Sequence, residues 1–239
     1  MSSAIPIAAV PSTFFHKRTG SGCIEQNHLF CPDWAVHNLD RYVTPTLQHL
    51  VLVGASVGIG FAVAFGMALL AHRRRWLVPP LLGATGVLYT IPSIAFFFLL
   101  LPVTGRGRET AIIALTAYTL QIIFRNTFAG LNNVPGDVKD AARGMGLTER
   151  QMLWRVELPL AVPEIVAGLR IATVSTVAIA TLAVFANGGG LGTEIYPDIT
   201  FKTGVILAGL IAVLMAFTFD VILLLIQRAA TPWRRAARS

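Results

Sequence analysis

The sequence predicts an all-α polytopic membrane protein, a transmembrane bundle of about five helices, and two observations support this fold class. Hydrophobic residues make up 54% of the 239-residue chain, and charged residues only 13%. Soluble domains carry about 25% charged residues and disordered chains have low hydrophobicity, so the composition excludes both classes. The apolar residues are also gathered into long runs without charge, at 42–71, 76–105 and 171–193.

These runs are long enough to cross a bilayer, since a spanning helix needs about 20 predominantly apolar residues. Two shorter runs end at single charges, Arg125 and Asp220, which can lie near the membrane interface. A membrane domain at 42–232 therefore separates an N-terminal tail at 1–41 from a basic tail at 233–239. The predicted spans are 46–71, 77–102, 109–128, 161–186 and 204–227.

The net charge of +7 indicates topology rather than affinity for nucleic acid, because the basic residues are unevenly distributed. Most of them lie between the first and second predicted spans, between the third and fourth, and after the fifth. Cytoplasmic loops of membrane proteins carry an excess of Lys and Arg. We therefore predict a multi-pass protein of the cytoplasmic membrane (inner or plasma membrane), with its N-terminus outside and its C-terminus inside.

The N-terminal tail contains the one sequence cluster that resembles metal ligands. Its spacing fits no standard zinc module, so we expect no metal site and an irregular, extracytoplasmic tail. Residues 1–15 lack a basic n-region and an uninterrupted apolar core, so no cleaved signal peptide is predicted. If the tail lies outside, that compartment permits a disulfide between its two cysteines. The cluster consists of Cys23, His28, Cys31 and His37.

Candidates for a translocation path come from the second and third predicted spans. Pro92 lies in the middle of the second span, where a proline kinks a helix and frees a carbonyl. Because lipid does not satisfy a freed polar group, this stretch is either a packing kink against protein or a broken element that lines a path. Tyr118 and Gln121 share a face of the third span and serve either the path or interhelical hydrogen bonds. The candidate path residues are Tyr89, Pro92, Ser93, Tyr118 and Gln121.

The most informative stretch is residues 130–160, between the third and fourth predicted spans. Its pattern of capping residues predicts two short helices. Asp137 can cap the first helix, and Gly146 can end it in the left-handed conformation. Thr148 and Gln151 form a capping box for the second helix.

We expect Pro159 to stop that second helix, because proline lacks a backbone N–H. Two capped helices in one cytoplasmic connection favour a docking element over a loop that merely covers its own membrane surface. The thin first helix, with Ala141, Ala142 and Met145, is suited to enter a groove on a partner.

The spacing of this segment resembles the EAA motif of ABC-importer permease subunits: Glu-Ala-Ala, three residues, Gly, nine residues, Ile-x-Leu-Pro. Asp stands here for Glu and Val for Ile, and both replacements keep the chemistry. The resemblance covers about residues 46–232 and implies a type I ABC importer permease fold, with the permease domain at 42–232. The matching residues are Asp140, Ala141, Ala142, Gly146, Val156, Leu158 and Pro159.

Other stretches resemble the osmoprotectant branch of that family, whose members serve uptake of glycine betaine, carnitine, choline or proline betaine. These stretches are 90–93, 125–127, 141–146, 156–159 and 188–192. In the family, the two short helices form the coupling helix that sits in a cleft of the ATPase subunit, and we therefore call residues 130–160 the coupling segment. The resemblance therefore implies that the ATPase contacts are Asp140, Ala141, Ala142, Arg143, Gly144, Met145, Gly146 and Leu147. The residues that support the segment are Thr148, Gln151, Val156, Leu158 and Pro159.

A glycine run lies just beyond the fourth predicted span. Gly188, Gly189, Gly190 and Gly192 permit tight, left-handed turns, so the run is either a candidate outer gate loop or a flexible linker. Asp220, near the end of the last span, is either a functional intramembrane acid or a hydrated or paired structural one.

The resemblance also implies partners: ATP-binding cassette ATPase subunits, a second permease subunit that is identical or paralogous, and an extracytoplasmic substrate-binding protein. The chain has no Walker motif and no nucleophile–base pair. We therefore expect no enzymatic activity and no cofactor in this chain, with ATP and Mg²⁺ bound by the partner ATPase.

Two other functions stay open. One is an ABC permease for an amino acid such as methionine, which shares the five-span plan. The other is an integral-membrane enzyme, which requires polar or metal-ligating clusters at one membrane depth. Aromatic side chains near the second and third spans can hold a quaternary ammonium group, but the resemblance rather than the aromatics carries the osmoprotectant prediction.

Overall fold

The computed structural model describes residues 22–231, and the regular elements in that range are all helical. The α-helices are α1 (Gly22–Glu25), α2 (Pro32–His37), α3 (Val43–Arg73), α4 (Val78–Thr90), α5 (Ser93–Thr104), α6 (Arg108–Asn132), α7 (Gly136–Gly144), α8 (Glu149–Met152), α9 (Leu158–Ala180), α10 (Gly192–Ile195) and α11 (Lys202–Ala230). Short 3₁₀ helices lie at Asp40–Tyr42, Arg75–Leu77 and Thr181–Ala186, and a π-helical turn lies at Leu153–Glu157. The predicted basic tail at 233–239 and the first part of the N-terminal tail lie outside the described residues.

Helices of membrane-spanning length dominate the described part of the chain. Four helical stretches are long and apolar enough to cross a bilayer, and a bent pair of helices raises the number to five. The all-α, membrane-spanning fold class is therefore confirmed. The four stretches are Asp40–Arg73, Arg108–Asn132, Glu149–Ala186 and Lys202–Ala230, and the bent pair is Arg75–Thr90 with Ser93–Thr104.

The bent pair is divided at Pro92. The axes of its two helices meet at 100°, and the backbone of Ile91 and Pro92 is extended between them, with ψ of 129° and 132°. Proline cannot donate a helical hydrogen bond and disfavours helical geometry in the residue before it. The predicted kink is therefore present, as a complete break between two helices.

Helix α6 lies at the centre of the bundle, where it packs against α3, α4, α5 and α9. The close approach of α3 and α6 depends on Gly60, because a methyl group there would overlap the side chain of Thr119. Small residues permit such approaches between membrane helices. On the outside, α11 packs mainly on α9 and leaves most of its apolar surface exposed, which suits contact with lipid tails.

The long stretch that contains α9 begins earlier than the sequence predicts. It runs through Pro159 without interruption, so the prediction that Pro159 stops the second short helix is wrong. The π-helical turn explains the difference, since the Leu158 N–H donates to the Leu153 carbonyl five residues earlier. This wider turn accommodates a proline directly after it, at a position where the helix does not need the missing N–H.

Residues 22–42 form a packed cap on the start of α11 rather than the irregular tail that the sequence predicts. The Asn27 side chain donates to the Thr200 carbonyl at 2.7 Å. The Trp34 ring packs edge-on against Phe201, with ring centroids 4.7 Å apart. Contacts between such distant parts of the chain leave no periodic signal in the sequence.

The polar cluster within this cap has partners of its own. Cys23 and Cys31 form a disulfide, which the sequence analysis allowed for an external tail. His28 bonds to the Gln26 side chain, and His37 bonds to a backbone carbonyl one turn earlier in α2. Within residues 22–231, no group of three or more His, Cys, Asp or Glu side chains is arranged to hold a metal ion.

Candidate functional site

The first short helix of the coupling segment, α7, ends as the sequence predicts. Gly146 is left-handed, with φ of +80°. Its N–H donates to the Arg143 carbonyl at 2.9 Å, and the Leu147 N–H donates to the Ala142 carbonyl at 3.2 Å. These two bonds form a Schellman motif, which closes the helix and satisfies its last carbonyls. The chain can therefore turn sharply out of α7 without exposing unbonded backbone.

The start of α7 differs from the prediction. Pro135 occupies the cap position and makes no side-chain capping bond, so Asp137 does not cap the helix. Asp137 lies in the first turn instead, where a negative charge interacts favourably with the helix dipole. The proline ring fixes φ at the cap position, and the extended backbone there begins the helix one residue before Asp137.

The second short helix, α8, begins with the predicted capping box. The Thr148 hydroxyl accepts from the Gln151 N–H at 3.3 Å, and the Gln151 side chain accepts from the Thr148 N–H at 2.9 Å. Both donors at the start of the helix are satisfied reciprocally. The start of α8 is therefore determined by hydrogen bonds between residues of the segment itself.

The tip of the coupling segment is exposed. Met145 is 73% exposed, although methionine is apolar. Ala142 is buried and holds α7 against the rest of the segment. An exposed helix end with an adaptable methionine is suited to enter a groove on another protein. The other exposed residues of this tip are Asp140, Ala141, Arg143, Gly144 and Gly146.

A buried ionic cluster joins the coupling segment to the ends of α3 and α9. Glu157, in the π-helical turn, has only 5% of its side chain exposed. One of its oxygens accepts from His72 Nε2 at 2.8 Å, and the other accepts from Lys139 Nζ at 3.0 Å. His72 lies in the last turn of α3, and Lys139 lies in α7.

No pattern in the sequence pointed to this cluster. Glu157 occupies the one position of the Ile-x-Leu-Pro pattern that the EAA motif leaves open, and His72 lies 85 residues away. A cavity of about 460 Å³ borders the cluster. Its lining residues are His72, Arg73, Glu149, Arg150, Leu153 and Glu157.

At the opposite end of the bundle, the glycine run folds back onto α3. Gly189 and Gly190 are left-handed, with φ of +82° and +87°, so non-glycine residues are strained at both positions. The Gln48 side chain accepts from the Gly190 N–H at 3.1 Å, and His49 Nδ1 accepts from the Leu191 N–H at 3.2 Å. We call residues 187–192 the glycine loop. Its fixed, mostly buried backbone is unlike a flexible linker.

His49 is fully buried and bonds two different elements. Because Nδ1 accepts from the glycine loop, Nε2 carries the hydrogen and donates to the Val177 carbonyl of α9 at 3.0 Å. A neutral imidazole thus ties α3 to both α9 and the loop. The available signal was the pair Gln48–His49 in a charge-free run, since polar residues inside a span are functional candidates.

Two candidate path residues make interhelical hydrogen bonds. The Tyr118 hydroxyl donates to the Ile91 carbonyl at 2.5 Å, at the break between α4 and α5. The Gln121 side chain bonds to the Thr85 hydroxyl of α4. The Ile91 carbonyl at the break therefore faces protein, and Tyr118 satisfies a polar group that lipid cannot.

The other candidate path residues lie around the same break. Pro92 lies in the turn itself, and Ser93 is the first residue of α5. The rings of Tyr89 and Phe96 lie 6.1 Å and 5.7 Å from the Tyr118 ring, both edge-on. Aromatic faces attract quaternary ammonium groups. The role of these residues in a translocation path stays a prediction.

Asp220 is paired. Arg170 Nε and Nη2 donate to its two carboxylate oxygens, both at 2.8 Å. Such a bidentate pair is among the strong hydrogen-bonded contacts of proteins. The pair joins α9 to α11. This agrees with the alternative that Asp220 is a paired structural acid rather than a functional intramembrane one.

The fold and the coupling segment together define a permease subunit of a binding-protein-dependent importer. Residues 56–236 match the family described as "Binding-protein-dependent transport system inner membrane component". The match covers most of the chain, and the chain belongs to this family.

Relatives within the family carry more specific names. Osmoprotectant import permease protein OsmW of Salmonella typhimurium is 36% identical over 83% of this chain and 96% of its own length. Choline transport system permease protein OpuBB of Bacillus subtilis is 32% identical over 78% and 87%. Carnitine transport permease protein OpuCB of Listeria monocytogenes is 38% identical over 74% and 80%. These relatives favour the osmoprotectant interpretation over the methionine alternative.

Solved structures show the same fold. One inward-facing structure of the MetNI methionine ABC transporter has a TM-score of 0.67, with 24% identity over 80% of this chain and 96% of that one. A second has a TM-score of 0.70, with 22% identity over 84% and 100%. The likeness confirms the type I ABC importer permease fold.

Proposed function

We propose that this chain is the transmembrane permease subunit of an ABC importer for an osmoprotectant of the glycine betaine, choline, carnitine or proline betaine type. Its relatives in the family are permeases named for osmoprotectant, choline and carnitine transport. The aromatic side chains around the break between α4 and α5 are chemically suited to a quaternary ammonium group on its way through the membrane.

The exposed tip of the coupling segment is the observation that carries the proposal. The Schellman motif and the capping box hold Met145 and its neighbours outward without any partner within residues 22–231 covering them. We propose that this tip, residues 140–147, docks in the ATPase subunit. ATP and Mg²⁺ bind to that subunit, and this chain binds no cofactor. A second permease subunit and an extracytoplasmic binding protein complete the importer.

The proposed orientation places the coupling segment in the cytoplasm of the cell, with the N-terminus outside and the C-terminus inside. The concentration of Lys and Arg at the coupling-segment end supports this assignment, since cytoplasmic loops are enriched in both. The disulfide between Cys23 and Cys31 supports it independently, because it lies at the opposite end and disulfides persist in oxidising compartments.

In this mechanism, ATP hydrolysis moves the coupling segment, and the movement shifts the helices between inward-facing and outward-facing states. Such coupling requires that the segment differ in its contacts between the two states. The glycine loop acts as the outer gate, and the break at Pro92 lines the path.

Docking is tested by Gly146→Val, because valine strains the left-handed turn of the Schellman motif. We expect uptake to be abolished in cells while the amount of permease in the membrane stays unchanged. Gly105→Val is the matched control, since Gly105 also has a positive φ, of +75°, with open space around it, at the other end of the bundle. Normal uptake in the Gly146 variant contradicts the docking role.

The substrate is tested by uptake of radiolabelled glycine betaine, choline, carnitine and methionine in cells that lack their own importers for them. We expect at least one of the first three to be accumulated and to compete with the others. Binding of the same compounds by the partner extracytoplasmic protein is the second measurement. Accumulation of methionine alone removes the osmoprotectant assignment.

A further inference from the structure

The contacts of α7 raise the question of how a small docked helix can move a bundle of long ones. Helix α7 packs against α8 and the π-helical turn. Its charged link to the long helices runs through Lys139, which reaches Glu157 at 3.0 Å. Glu157 in turn holds His72, at the end of α3, at 2.8 Å. One carboxylate therefore connects α7, α3 and the beginning of α9.

We propose that Glu157 is the joint through which displacement of the coupling segment is transmitted to α3 and α9. This inference rests on the proposed docking of the coupling segment, and it assigns a positioning role to a residue outside the docked tip. Glu157 keeps α7 and the end of α3 in contact, so that a displacement of α7 also displaces the end of α3.

Burial makes this connection strong. The side chains of Glu157, His72 and Lys139 are 5%, 13% and 18% exposed, so water screens their interaction far less than it screens a surface pair. A buried carboxylate that loses its hydrogen-bonded partners keeps its desolvation cost and loses the compensating attraction. Separation of α7 from α3 is therefore unfavourable, and the two follow each other.

The π-helical turn directs Glu157 toward this position. A turn with one additional residue rotates the side chains on its two sides by about 100° relative to an uninterrupted α-helix. Leu153, at its start, is buried in an apolar cluster with Leu158 and Leu131, while Glu157 points at the basic residues. Such turns often mark functional positions in helices.

The neighbourhood of the joint leaves room for movement. The cavity of about 460 Å³ lies between His72, α8 and the π-helical turn. His72 Nδ1 is buried, and no partner for it lies within residues 22–231. The ring is thus held through Nε2 alone and can tilt about that bond as the segment moves. A joint built in this way can change its angle while the bond to Glu157 is kept.

The test uses the whole importer, with ATPase subunits and binding protein, reconstituted in lipid vesicles. Glu157→Gln keeps the shape of the side chain and removes its charge. We expect the amount of substrate taken up per ATP hydrolysed to fall about fivefold, while ATP hydrolysis stays within about twofold of the unaltered complex. The exchanged pair Glu157→Lys with Lys139→Glu restores the contact with α7 but turns a donor toward the His72 N–H, so it should recover little of the ratio.

Asp220→Asn is the matched control, because it breaks another partly buried ion pair that does not involve α7. Its effects on uptake and ATP hydrolysis should be proportional, with an unchanged ratio. Spin labels at Arg74 and Asp137, both exposed, report the separation of α3 and α7. The distance distribution should stay narrow across nucleotide states in the unaltered complex and broaden in Glu157→Gln.

The measurements distinguish a failure of the proposed role of Glu157 from a failure of the proposed function. If the unaltered complex transports substrate and Glu157→Gln retains the ratio of uptake to hydrolysis, or lowers both equally, Glu157 is only a structural residue and the inference is overturned. If the unaltered complex neither transports nor binds the ATPase, the proposed function itself fails. That second result is visible before any variant is measured.

Discussion

The two ends of the bundle are held together in opposite ways. At the glycine loop, the neutral side chains of Gln48 and His49 bond to backbone groups in a buried site. At the coupling segment, a buried carboxylate holds two basic side chains, and the remaining residues are capped locally and exposed. Hydrogen bonds between neutral groups require close, aligned geometry, whereas charges attract over longer distances. The difference indicates that the loop is fixed to α3, while the coupling segment can tilt as a unit.

The largest effect on stability is expected from His49→Ala. The substitution leaves the Leu191 N–H and the Val177 carbonyl without partners in a buried site and opens a cavity, at a cost of about 4 kcal/mol. Unfolding of the purified protein measures this loss. The control His28→Ala, at an exposed position, should cost less than about 0.5 kcal/mol. Equal losses in both variants contradict the special role of the buried imidazole.

A smaller loss is expected from Gly190→Ala. The new methyl group meets His49 Nδ1 at 3.0 Å, and the left-handed backbone costs about 1–2 kcal/mol for a residue with a Cβ. The loss should not add to that of His49→Ala, because both changes disturb one contact. Gly209→Ala, in the middle of α11 with open space around it, should leave stability unchanged or raise it. If the losses of stability of the two single variants add fully in the double variant, Gly190 and His49 do not act through one shared contact.

At the coupling segment, Thr148→Ala removes the capping box and should cost about 1 kcal/mol locally. Because α8 is capped by its own residues, the amide hydrogens of α8 should exchange faster while those of α3 and α6 are unchanged. Hydrogen exchange followed by mass spectrometry checks this. Faster exchange throughout the bundle means that the segment is not a separate unit.

The smallest effect is expected from Arg143→Gln. Arg143 pairs with Asp140 at 3.2 Å and with Glu149 at 3.4 Å, but its side chain is 54% exposed. Exposed ion pairs contribute about 0–1 kcal/mol, and salt screens them, so the unfolding temperature should hardly change. A loss well above 1 kcal/mol in the same unfolding measurement would mean that these exposed ion pairs stabilise the fold more than is expected here.

Local patterns in the sequence were sufficient for the turns and caps of the coupling segment. Gly146 and the pair Thr148–Gln151 act through neighbours a few residues away, so their roles are encoded within a short stretch. The predicted roles of Asp137 as a helix cap and of Pro159 as a helix stop were wrong. At both positions a backbone feature decides the outcome: the proline ring before α7, and the π-helical turn before α9.

Contacts between distant parts of the chain could not be predicted in this way. The glycine loop meets Gln48 and His49 across 142 residues, and Glu157 meets His72 across 85. Hydropathy places such residues in a span or at its end, but it gives no partner. The break at Pro92 was predictable as a position, whereas its angle of 100° depends on the packing of α4 and α5 against α6.

The central claim is that the exposed tip of the coupling segment docks on an ATPase subunit at the cytoplasmic face. A photo-crosslinking amino acid at Met145, in the intact complex in cell membranes, tests it directly. Ile199, which is 63% exposed at the opposite end of the bundle, is the matched position. If the tip docks as proposed, we expect a covalent product with the ATPase from position 145 and none from position 199. A product from position 199 alone, or from neither position, contradicts it.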